Sequence, residues 1–197
     1  CDNFRLFPTT NTGHGDRLPT SFAVRGSVGY WGSVLAIAAS ATLFASLVFG
    51  HFFLWVVAPN WPPPGDFGAY FLEPALVTAG ALLALAAARI GARDFARSRN
   101  SAMISACGLA LAIAGLLVGA IRHLPSPGEH SFAAVGWTLT SYAVFSAIVG
   151  LLAQVFITRR IASGHTTSDR PHELRIAAVW SDYGAAVALA VAWILSL

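Results

Sequence analysis

Three side chains in this 197-residue chain could do chemistry while surrounded by apolar sequence: His51, Glu73 and Asp182. An ionisable group at membrane depth is costly, so each is a functional candidate by default. His51 offers an imidazole for proton transfer or axial haem ligation. Haem usually needs a second ligand facing the first from another helix, and His123 and His130, in the same boundary layer, are the conceivable partners. The alternative for His51 is packing at the interface. Glu73, beside Pro74 at the start of an apolar run, is either a proton-relay carboxylate or an acid favoured there by the exposed N–H groups and dipole of a helix N-terminus. Asp182 sits about a turn and a half into the last apolar run. It is either a transport carboxylate or the partner of Arg175, seven residues back on the same face, with the cationic head reaching water. His14, by contrast, reads as a solvated loop residue. No Ser-His-Asp order, paired carboxylates, glycine-rich phosphate loop or CxxC stands in a context that supports catalysis, so no catalytic, cofactor-binding or metal residue is expected and the chain alone is not expected to be an enzyme.

The elements that position these residues are membrane spans. The chain is 56% hydrophobic and 11% charged, too apolar for an ordinary soluble domain. Residues 1–30 are polar, dotted with Gly, Pro and Thr, and read as a cytoplasmic lead or linker. Apolar runs follow at about 31–58, 72–90, 101–121, 132–158 and 174–195. At about 1.5 Å per residue each can cross a hydrocarbon core of about 30 Å. The expected fold is an all-α membrane protein, a five-helix transmembrane bundle over residues 31–197.

Small residues recur every fourth place in several spans: Ala38, Thr42, Ser46 and Gly50 in the first, Gly80, Ala84 and Ala88 in the second, Gly115 and Gly119 in the third. Such stripes let helix backbones approach closely where lipid supplies no hydrophobic drive, so each is expected to face a neighbouring helix. Trp55 and Trp61 suit the polar boundary at the end of the first span, and Pro62, Pro63 and Pro64 stop the helix.

All twelve cationic residues are arginine. Arg5, Arg17, Arg25, Arg89, Arg93, Arg97, Arg99, Arg159, Arg160, Arg170 and Arg175 fall on one side of a five-span arrangement, and Arg122 alone on the other. Positive-inside bias then puts the N-terminus inside and the C-terminus outside. The basic balance is a topology signal, so no nucleic-acid partner is expected, although Arg89, Arg93, Arg97 and Arg99 around Asp94 suit an anionic phospholipid headgroup. Cys1 and Cys107 imply no disulfide or metal framework. A first residue of Cys rather than Met is expected of a fragment, a fusion piece or a processed product. Lipidation of Cys1 conflicts with the inside location of that end.

The stretch Ile37-Ala38-Ala39-Ser40-Ala41-Thr42-Leu43-Phe44-Ala45, with Phe49, Phe52, Phe53 and Trp61-Pro62-Pro63, resembles the third helix and Trp-Pro-Pro loop of subunit III of haem-copper terminal oxidases (cytochrome c oxidase), most of all the subunit III half of polypeptides that fuse subunits I and III. Pro127-Gly128-Glu129-His130-Ser131-Phe132 resembles the family's entry to its sixth helix. Val149-Gly150-Leu151-Leu152 and Leu174-Arg175-Ile176-Ala177-Ala178-Val179-Trp180 resemble the end of that helix and the start of the seventh. The five spans would correspond to the last five of seven family helices. Ser40 stands at the position matching the family's buried glutamate, Ala143 and Ser146 where it has two histidines, and Ser181 and Gly184 where it has a His and an Asp.

The resemblance implies a non-redox accessory subunit of an aerobic respiratory oxidase in a bacterial inner membrane, supporting assembly and stability of the catalytic subunit in a proton-translocating electron-transport chain. It implies oxidase subunits I and II and membrane phospholipid as partners, with haem and copper on those subunits and none here. The alternatives from the residues alone are a small membrane transporter or channel component using Asp182 and His51, and a b-type haem membrane carrier.

Overall fold

The structure is a computed structural model that describes residues 9–11, 17–19, 28–58, 72–166 and 172–196. The described residues are mostly helical: α1 (Val28–Val57), α2 (Leu72–Arg93), α3 (Ser98–His123), α4 (Ser131–Ala162) and α5 (His172–Ile194). All five are long and apolar enough to cross a membrane, which makes this a multi-pass membrane protein by length and composition. Each helix matches a span expected from the sequence, with ends one to four residues beyond most of the apolar runs. Polar residues such as Ser98, Arg159 and Arg160 continue the backbone hydrogen bonding past the hydrocarbon edge. In the lead, a short antiparallel ladder pairs β1 (Thr9–Asn11) with β2 (Arg17–Pro19), Thr10 opposite Leu18. The Trp61-Pro62-Pro63-Pro64 stop, Arg5, Arg25, Arg170, His14 and Cys1 lie outside the described residues.

The ends have local causes. Asp94 breaks the chain after α2: its carboxylate accepts from Ala96 N at 3.0 Å and caps a 3-10 turn, Phe95–Arg97, that leads into α3. His130 caps α4, its Nδ1 accepting from Phe132 N at 3.0 Å. Just past the end of α4, Gly164 adopts φ +72°, where a side chain would be strained.

Helices α2 to α5 form a close bundle, and small residues set its spacing. A Cβ placed on Gly80 would lie 2.6 Å from Gly108 O and one on Gly108 would lie 2.6 Å from Gly80 O, so α2 and α3 touch backbone to backbone. Ala84 and Ala88 extend this seam, both buried. Gly115 seats against Val77 and the Glu73 carbonyl, and Gly119 against the Glu73 side chain. On the other side, Gly184 of α5 meets Ser146 O of α4 and Gly150 of α4 meets Trp180 O and Ser181 of α5. Where apolar tails surround the protein, this dispersion contact replaces the hydrophobic effect as the cohesive force.

Helix α1 differs. Its most apolar stretch contains no buried residue, whereas 39% to 50% of the corresponding stretches of α2 to α5 is buried. It leans on α4 and α5 through Phe44, Leu47 and Val48. Ala38, Thr42 and Ser46 are exposed, and nothing lies within 4 Å of a Cβ placed on Gly50. The expectation that this stripe faces a neighbouring helix is therefore corrected within this chain. The Thr42 and Ser46 hydroxyls return to their own helix, at Ala39 O (2.7 Å) and Thr42 O (2.9 Å). The docking face of α1 is its larger residues, because they fill the shallow groove between α4 and α5.

Candidate functional site

Polar groups inside the bundle collect in four places. The first lies at the end opposite the arginine-rich loops. Glu73, in the first turn of α2 and 7% exposed, has Oε1 at 3.3 Å from Arg122 Nη1 and 3.4 Å from His123 Nε2. The acid thus faces both the α2 N-terminus and two basic groups closing α3. This is a helix-end clamp, in keeping with the structural alternative for Glu73.

His51 is the second. It is 1% exposed, with its ring edge-on to Phe52 (5.5 Å between centroids) and Trp55 (6.2 Å) and 6.5 Å from Phe132 of α4. An imidazole enclosed by three aromatic rings suits packing. Its conceivable haem partners are occupied elsewhere: His123 faces Glu73 and His130 caps α4. Among the described residues no group of three or more His, Cys, Asp or Glu could hold a metal ion.

The third was not foreseen. The Tyr142 hydroxyl of α4 donates to Ser40 O of α1 at 2.6 Å and lies 2.7 Å from the Tyr183 hydroxyl of α5. Phe44 stacks on the Tyr142 ring at 5.7 Å and 11°. These contacts fix α1 to the bundle near mid-span. Sequence spacing carries no sign of them, since the residues are 41 and 102 apart.

The fourth centres on Asp182. Ser105 of α3 and Ser181 of α5, both 0% exposed, bring their hydroxyls to 2.9 Å, and Ser105 donates to Ala84 O of α2 at 3.1 Å. Beside this chain Asp182 Oδ2 accepts from Arg89 Nε at 2.7 Å. The expected pairing with Arg175 is thus corrected: Arg89 comes from another helix, which intrahelical spacing cannot reveal. Asp182 Oδ1 is buried with no hydrogen-bond partner among the described residues. Nearer the arginine-rich end, Gln154 of α4 donates to Ala177 O of α5 at 3.3 Å. There Arg160 meets Glu173 through Nε (3.1 Å) and Nη2 (3.0 Å), while Thr166 donates to Glu173 Oε2 at 2.6 Å.

The positions singled out by resemblance are near one another. Ser40 offers its carbonyl to Tyr142; Ala143 and Ser146 lie on the same turn of α4; Ser146 O abuts Gly184. Ser181 is the exception, turning to Ser105 of α3. Cys107 is exposed on the outside of α3. Compared with models of known families and with curated proteins, the chain matches none.

Proposed function

We propose that this chain is a non-redox accessory subunit of a haem-copper respiratory oxidase, similar to subunit III, in a bacterial inner membrane, with the arginine-rich loops on the cytoplasmic side. In this reading α2 to α5 are the scaffold and α1 is the helix that meets the catalytic subunit. The observation that carries it is the division of labour between helices. Four close on one another through backbone contacts, while α1 leaves a whole face open, including the small residues Ala38, Thr42 and Ser46 that permit close approach of another helix. Further support comes from Ser40, Ala143, Ser146 and Gly184, widely separated positions of the resemblance that gather across α1, α4 and α5. Haem and copper belong to subunits I and II, and phospholipid fills the remaining surface.

The test is affinity purification of the tagged protein from native membranes in mild detergent. Haem and copper should co-purify on other polypeptides in a fixed ratio to this chain. Replacement of His51 by Phe should leave the haem spectrum unchanged, whereas removal of residues 31–197 should lower the amount of active oxidase. Haem bound to this chain and lost with His51 would replace the proposal by the b-type carrier. Purification free of any redox subunit would refute it outright.

A further inference from the structure

Three carboxylates of this bundle meet arginines across helices, and the two on α5, Glu173 and Asp182, are satisfied differently. Glu173 is satisfied on both oxygens: Arg160 presents two N–H groups of its fork and Thr166 adds a hydroxyl. This is how a fixed ion pair is built, with the arginine fork shared between the oxygens and a donor on each of them. Asp182 is bound on one oxygen only, by the single Nε of Arg89, and its other oxygen is buried without a donor among the described residues. A buried acceptor without a donor keeps the desolvation penalty of its oxygen, and the penalty is larger for a charged group.

Depth sharpens the contrast. Glu173 is the second residue of α5, at its end, whereas Asp182 is ten residues in, about 15 Å along the axis at 1.5 Å per residue. Arg89 lies only four residues from the end of α2, and its side chain is 63% exposed against 19% for Asp182. Helix side chains lean toward their N-terminus, so Arg89 leans into the membrane and Asp182 leans back toward the arginine-rich end, and the two meet between. An arginine near a helix end has another resting place, its head at the aqueous boundary beside Arg93.

The other groups around this stretch of α5 are uncharged. α3 brings Ser105, α4 brings Ser146 and Gly150, and on α5 Tyr183 turns to Tyr142. Arg89 of α2 is the one charged group paired with Asp182 among the described residues. A proton on Asp182 would remove the carboxylate charge from this stretch and create an O–H donor. Hydroxyls elsewhere in the bundle are accommodated by helix carbonyls one turn back, as Ser146 is by Tyr142 O and Thr158 by Gln154 O.

We propose that Asp182 is a proton-binding site of this membrane domain. It is a carboxylate while Arg89 is drawn in against it, and a neutral carboxylic acid when it takes a proton from the arginine-rich aqueous side and Arg89 swings out to that surface. The exchange breaks the ion pair and one O–H bond of a hydronium ion on the arginine-rich side, forms one O–H bond on Asp182 and leaves water, and it removes the charged link between α2 and α5 at that end of the bundle. The proposal stands apart from the oxidase assignment, because its readout comes from this chain whether or not a redox subunit accompanies it.

The test is pH-difference infrared spectroscopy of the full chain in lipid nanodiscs, reading the C=O stretch of protonated carboxyls. Acidification from neutral pH should produce a band that Asp182→Asn abolishes, Asp182→Glu moves in frequency, and Glu73→Gln leaves in place. Arg89→Met, lacking the cation, should show the acid band already at neutral pH. A band that survives Asp182→Asn, or no band at all, would overturn the proposal and leave a permanently closed pair. Should Asp182→Asn fail to fold, Asp182→Glu decides alone: a band with unmoved frequency belongs to another acid and overturns it equally.

Discussion

Replacing Gly80 by alanine should force the bundle apart where α2 meets α3. The new Cβ would stand 2.6 Å from Gly108 O and 2.8 Å from Ala112 N, whereas ordinary contact begins at 3.4 Å, so the two helices must separate by about 0.8 Å, the difference between 3.4 and 2.6 Å. The obstacle is backbone, which no rotamer change can move aside. A radial gap of that size forfeits a quarter to a half of each dispersion contact along the seam, here those of Val77, Ala81 and Ala84 with Leu109, Ala112 and Leu116. Overpacking of this kind costs about 1–3 kcal/mol, and lipid supplies no hydrophobic drive to offset it. Gly50→Ala is the matched control, since nothing lies within 4 Å of the added methyl and the change should fall within about 0.5 kcal/mol of wild type. The measurement is reversible unfolding in mixed micelles, or steric trapping in bilayers. Equal stability of Gly80→Ala and Gly50→Ala would refute the backbone-contact reading of this seam.

Other outcomes follow from the polar clusters. Ser105→Ala or Ser181→Ala should each destabilise by about 0.5–2 kcal/mol, with the double variant losing less than the sum, because both hydroxyls belong to one bond; a double-mutant cycle reads the coupling. Tyr142→Phe removes the hydroxyl that reaches Ser40 O and Tyr183, so spin labels at the exposed positions Thr42 and Phe145 should report a broader distance distribution between α1 and α4, and an unchanged one would refute the clasp. Cysteines placed at the exposed residues Gly128 and Arg97, in a background without Cys1 and Cys107, should react with an impermeant reagent from the outer face at Gly128 alone; the reverse pattern would invert the proposed orientation.

The five helices were legible because each is an unbroken apolar run of membrane length, and the seam of Gly80, Ala84 and Ala88 was legible because small residues at that spacing serve backbone contact. The same signal misled at Ala38, Thr42 and Ser46. In lipid a small-residue face and an outward face are equally apolar, so nothing in the pattern tells which one has a neighbour within the chain. The candidates split likewise: Glu73 is where its helix-start position implied, but Asp182 took a partner from α2. Contacts between helices depend on how spans are arranged around one another, and no periodicity within a single span encodes that arrangement. The bonds of Tyr142 with Tyr183 and of Ser105 with Ser181 were hidden for the same reason.

The seating of α1 has a consequence for how the protein is made. Synthesis delivers α1 before α4 and α5, which carry its anchors Phe132, Tyr142 and Tyr183, and the bond from Tyr142 to Ser40 spans 102 residues. Closing so long an interval is slow beside the local pairing of α2 with α3. Helix α1 therefore settles after helices that follow it in the chain, and until α4 and α5 arrive its docking face is bare. During that interval a chaperone or an incoming partner protein could reach the same surface that α4 and α5 later cover.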